Sequence, residues 1–165
     1  MPSEKSTFRA GFVAGLLLTL GLGVYLFLLW SAANQVELHT THLLTALEKK
    51  DWSEVGEFLD PSYADQWGHD RETLITRLRQ VLPFARHLHL HPAEVRIVAT
   101  GGEGEWRGRV TLEADSNELS TIIRERINSL EEPFTLQWRQ VSWKPWDWRL
   151  MRVTNPALDI AADGF

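Results

Sequence analysis

The chain has 165 residues, with 17 Lys and Arg against 22 Asp and Glu, and a formal charge of −5 at neutral pH. That length suits one domain plus a short extra segment. An acidic balance without a Lys/Arg stripe repels phosphate backbones, so no nucleic-acid partner is expected, and the absence of cysteine excludes disulfides, thiolate nucleophiles and thiolate metal sites.

Residues 10–33, AGFVAGLLLTLGLGVYLFLLWSAA, carry no charge, and about 20 apolar residues suffice to cross a bilayer as a helix. Tyr25 and Trp30 lie towards the far end, where amphipathic rings favour the interface. Lys5 and Arg9 precede the run, and no Lys or Arg follows until Lys49. The positive-inside bias then predicts a single-pass signal anchor over 10–33, with residues 1–9 cytoplasmic and the following domain periplasmic or otherwise extracytoplasmic. A cleaved signal peptide ending near Ser31-Ala32-Ala33 is the competing reading, but its core would run to roughly 7–15 residues only.

Residues 34–50 place Val36, Leu43, Leu44 and Leu47 on one helical face. Asp51 opens a second short helix, with Glu54 in the capping-box position and Trp52, Val55, Phe58 and Leu59 as its apolar side. Asp60-Pro61 stops it, and a loop, PSYADQWGH, follows. Asp70 caps a third helix carrying Leu74, Ile75, Leu78, Val81 and Leu82, which Pro83 should end.

The period then changes. EWRGRVTLEA alternates, with Trp106, Gly108, Val110, Leu112 and Ala114 on one face, as in a half-buried strand. GGEGE before it reads as a hairpin turn, which makes residues 87–99 the antiparallel partner. A further helix follows over 116–131, with Leu119, Ile122, Ile123, Ile127 and Leu130 in register. FTLQWRQVSW and WDWRLMRV are two more strands, Asn155-Pro156 closes the last, and 159–165 forms a loose tail. Helices before an antiparallel sheet predict an α+β domain.

The succession of a DW helix, a DPSYAD loop, a third helix, a long hairpin and a Trp-rich hairpin ending in WDWRLMRVTNP resembles the nuclear transport factor 2-like superfamily, the cystatin-like cone. The resemblance covers roughly 36–158 and frames a domain of 34–158; the insertion at 116–131 departs from the simplest form. It implies helices closing over a curved sheet, often around a pocket. Members include ketosteroid isomerase-like enzymes, dehydratases, polyketide cyclases and many non-catalytic binding or assembly modules, so fold alone decides little.

In similar enzymes, groups near this loop and inside the cone act as acid, base or oxyanion donor. Tyr63, Asp65 and His69 are the candidates here, in a cofactor-independent isomerase, cyclase or dehydratase. Against them, Asp70 reads as a cap and Asp65 as solvated. Trp106, Trp138 and Trp148 would line an apolar ligand pocket, or fill the core. His87, His89 and His91 in RHLHLHP would share a strand face about 6.6–7 Å apart, and are the minor metal alternative. A bulge at Pro92-Ala93 would instead turn them to solvent, reconciling Leu88 and Leu90 with Val95 and Ile97. His39 and His42, three apart, more simply flank their helix's apolar stripe.

The reading is a membrane-anchored, non-catalytic module that binds a protein partner or a small apolar ligand. No cofactor is expected, and a homodimer is possible on this reading.

Overall fold

The computed structural model describes the backbone of residues 4–115 and 118–158, with the side chains at 4–11, 27–29 and 118–119 set aside. The expected loose tail lies outside the described residues, as do the first three residues of the expected cytoplasmic segment.

Helix α1 spans Glu4–Leu29 and α2 spans Ala32–Lys49. Ser31 separates them, its hydroxyl accepting the Asn34 N–H at the start of α2. Lys50, in the left-handed region at φ 56°, ends α2, and its ammonium donates to the Ala85 carbonyl at 2.8 Å. Asp51 caps α3 (Trp52–Phe58) through the Glu54 N–H, and Asp70 caps α4 (Arg71–Val81) through the Thr73 N–H. Both caps stand where the sequence places them. Pro83 does not stop the chain at once, because a 3-10 turn, Leu82–Phe84, tolerates proline in its first turn.

Four antiparallel strands follow in sequential order: β1 (His89–Thr100), β2 (Glu103–Glu113), β3 (Phe134–Gln140) and β4 (Trp148–Thr154). Gly101 and Gly102, at φ 61° and 84°, turn β1 into β2, a conformation that favours glycine. The β1–β2 register slips between Ala93 and Arg96, with Glu94 at φ 55°. That bulge sits beside the expected one and sets Leu90 and Ile97 on the same inner face.

The inner sheet face packs on α2 and α3, where Val36, Leu43, Val55 and Leu59 meet Trp106, Leu136, Trp138 and Leu150. Beyond Gly108, β2 has no strand partner on its β3 side. Helix α5 (Glu118–Asn128) takes that place: the Asn128 amide accepts the Leu112 N–H at 2.7 Å and donates to its carbonyl at 3.0 Å. Segment 59–66 covers the free edge of β4 in the same way, through Asp60, Ala64 and Gln66 N–H groups bound to Leu150, Met151 and Val153 carbonyls.

The α+β arrangement of helices on an antiparallel sheet is as expected, but the anchor is not. Among the described residues, no helix is long and apolar enough to cross a membrane. The single-pass topology and the extracytoplasmic address of the domain rested on that span and fall with it.

Candidate functional site

A cavity of about 260 Å³ lies between the helices and the inner sheet face, and its surface is apolar throughout. Leu43, Leu47, Val55 and Leu59 form its α2–α3 side, Leu74 and Leu78 its α4 side, and Trp106, Val110, Leu136 and Leu150 its floor. Ile127 of α5 and Phe134 close one flank. The apolar stripe of α4 faces this space, which explains why that helix buries no residue completely.

Tyr63 and Trp67 bring the loop into the wall. The Trp67 indole N–H is already satisfied, donating to the Leu158 carbonyl at 2.8 Å. Tyr63 differs. It is 2% exposed, and its hydroxyl has no hydrogen-bond partner. Burial, and then the nearby Asp65 charge, push the phenol well above the ordinary tyrosine range, so it stays protonated.

Asp65 and His69 are buried beside it, and face each other: Asp65 Oδ2 lies 2.9 Å from His69 Nδ1. The other Asp65 oxygen accepts the N–H groups of Trp67 and His69 at 2.9 and 2.8 Å. This carboxylate is therefore an internal staple of the loop, rather than a solvated group. His69 Nε2 is buried without a partner, but neither Asp65 nor His69 belongs to the cavity wall. Of the three catalytic candidates the wall holds Tyr63 alone.

Trp106 likewise is the one member of the predicted aromatic set in the wall. Trp138 packs edge-on against His39 and Phe58, with its indole nitrogen buried and unpartnered. Trp148 donates from its indole to the Pro145 carbonyl at 2.8 Å. His39 Nδ1 lies 2.8 Å from the Gln35 carbonyl, and burial lowers its pKa, favouring neutral imidazole among these rings.

The three histidines of RHLHLHP do not converge. His87 precedes the strand at φ 46° and pairs with Asp115 at 2.7 Å; His91 lies 3.4 Å from Glu113; the His89 and His91 ring centres are 6.4 Å apart. Among the described residues, no group of three or more His, Asp or Glu side chains is arranged to hold a metal ion.

Sequence reasoning missed Trp67, Val110 and Leu78 as wall residues. Their signal was an ordinary core pattern, and a core pattern does not distinguish facing a neighbour from facing a void. Helix α4 offered the one hint, since its apolar stripe sits in an otherwise charged segment.

No family model matches the sequence, and no curated protein matches it. Solved structures do. One is a protein of unknown function with a cystatin-like fold from Nostoc punctiforme, at 14% identity and TM-score 0.55 over 73% of this chain and 86% of that one. Another is a candidate dehydratase of the nuclear transport factor 2-like family from Streptomyces avermitilis, at 14% identity and TM-score 0.56 over 74% and 93%. A third, Bd1075 of Bdellovibrio bacteriovorus, is 11% identical at TM-score 0.57; the match takes 73% of this chain but spans only 38% of Bd1075. The chain has the nuclear transport factor 2-like, or cystatin-like, fold. Identities this low carry the fold alone.

Proposed function

We propose that the domain is a binding module that shelters a small apolar molecule inside its helix–sheet cavity. The observation that carries this reading is a half-open cavity of about 260 Å³ between helices and sheet, with no polar atom on its surface. Well-packed interiors keep few voids larger than a water molecule, and apolar cavities of comparable size take up apolar guests. Taking about 30 Å³ per water-sized unit, the occupant has on the order of ten non-hydrogen atoms.

Turnover is the weaker alternative. A cofactor-independent isomerase, cyclase or dehydratase needs a titratable group at the reacting atoms, whereas Asp65 and His69 stand outside the wall and bind each other. A protein-docking role has one surface in its favour. Trp143 is 86% exposed at the tip of the β3–β4 hairpin, and Trp146 beside it touches Trp30 at the foot of the exposed apolar helix α1. A second copy of the chain is the occupant such a surface suits.

The test is native mass spectrometry of the full chain against its denatured mass, followed by calorimetric titration of the delipidated protein with small hydrocarbons and alcohols. Excess native mass that leaves on denaturation, or saturable binding that Leu78→Phe weakens at least tenfold, is the expected result. A bare chain that binds none of them overturns the reading.

A further inference from the structure

An open sheet edge is a template for another chain, and proteins blunt such edges. Strand β1 pairs with β2 alone, so its other side is an edge of the sheet. Its first half is blunted in three ways: the Leu90 N–H donates to the Glu48 carboxylate at 2.7 Å, Pro92 has no N–H, and the bulge at Glu94 interrupts the ladder. Its second half, VRIVAT at 95–100, carries no such device. Ile97 and Ala99 turn their backbone outward there. On β2 the Leu112 N–H turns away from β1 to Asn128, and the Gly102 carbonyl turns away to accept the Gln140 N–H, so the even-numbered residues between them do likewise. Ile97 stands opposite Trp106 and Ala99 opposite Gly104, and residues so placed in an antiparallel pair also face away from each other. Among the described residues, nothing pairs with the N–H and carbonyl groups of Ile97 and Ala99.

We propose that this half of β1 takes up an extended acidic segment of a partner protein as a further strand, at a surface distinct from the tryptophans of the β3–β4 hairpin. Charge on the outer face selects the partner. Arg96 and Arg107 stand directly opposite each other and both are exposed; among the described residues neither belongs to an ion pair. Like charges directly opposite destabilise a sheet, and a carboxylate beside Arg96 on an added strand offsets that repulsion. The inner face selects for carbon. Ile97 and Ala99 pack on the core but stay only partly buried at the edge, so apolar residues opposite them gain by covering them. The partner segment therefore alternates, with apolar side chains inward and a carboxylate outward. A second copy of β1 suits the edge less well. Antiparallel pairing about Ile97 would gather Arg96 and Arg107 of both copies into one patch of like charge.

The probe is a fluorescein-labelled heptapeptide, Ser-Val-Thr-Val-Glu-Val-Ser, titrated with the full chain at low salt and followed by fluorescence anisotropy. Its controls replace the glutamate by lysine, or methylate the backbone nitrogens of the first two valines. The glutamate peptide should bind saturably and about fivefold more tightly than the lysine peptide, and N-methylation should weaken binding at least tenfold by removing ladder donors. Arg96→Glu changes an exposed side chain, so it should invert the order of the two peptides while the chain unfolds at the same or a higher temperature. Hydrogen exchange at the Ile97 and Ala99 amides should slow in the complex, whereas the Arg96 and Val98 amides, which face β2, keep their rates. Equal binding of the two peptides, binding that leaves Ile97 and Ala99 exchange unchanged, or no binding at millimolar concentration each overturns the proposal. Protection of those two amides that rises with the concentration of the chain alone would place a second copy on the edge, and overturns it as well.

Discussion

Gly104 shows how closely α2 is set on the sheet. A Cβ at this inner-face position of β2 would strike the Val36 side chain and come within 3.3 Å of Trp148. Val36 is wholly buried in the middle of the contact and cannot move aside. Gly104→Ala should therefore destabilise the fold by about 1–3 kcal/mol, as overpacking does, with the unfolding midpoint in urea as the measure. An unchanged midpoint would mean that α2 slides freely on the sheet. Asp60 makes a comparable joint between the helical half and the sheet. Burial alone would raise its pKa, but the Ser62 hydroxyl and N–H and the Arg139 guanidinium outweigh burial and hold it below the usual carboxylate value. Neither joint was visible in the sequence, where Gly104 reads as part of a turn and Asp60 as a helix stop. Contacts between residues 36 and 104, or 60 and 139, belong to the packed chain.

Among the elements, α5 is where local pattern and tertiary role part most clearly. Its period was readable from Ile122, Ile123 and Ile127. Its task was not, because Asn128 serves as a one-residue strand for β2 only beyond Gly108, where the pairing of β2 with β3 stops. Asn128→Ala removes both bonds to Leu112 and should cost about 1 kcal/mol. Hydrogen exchange at the Leu112 amide should accelerate, while amides in the β2–β3 pairing keep their protection. Equal acceleration along all of β2 would instead make α5 part of the global core. The loop 59–70 follows the same logic at the opposite edge: its turn residues were legible as punctuation, but its backbone pairing with β4 was not. The candidate site shares this mixture, with Tyr63 singled out from its chemistry and Trp67, Val110 and Leu78 hidden as ordinary apolar residues.

Taken whole, the molecule combines a packed α+β body with an apolar helix whose side chains from Phe12 to Tyr25 are largely exposed. Trp30 and Trp146 join the two, and Trp143 extends the same apolar surface. Large apolar surfaces in water associate. The full chain should therefore self-associate at micromolar concentration, and Trp143→Ser with Trp146→Ser should shift sedimentation-velocity profiles towards the monomer. A wild-type chain that stays monomeric would remove the protein-docking reading.

What the sequence determined by itself is local: the periods of helices and strands, the caps at Asp51 and Asp70, the Gly101-Gly102 turn, and through their order the α+β class and the fold resemblance. These follow from steric and hydrogen-bonding preferences that act over a few residues. Only the tertiary structure decided which apolar residues surround a void, that the Tyr63 hydroxyl is buried without a partner, and that Asp65 is bound to His69. It also decided that no described helix is long and apolar enough to span a membrane. Burial and satisfaction are properties of pairs brought together by packing, and no stretch of residues carries them alone.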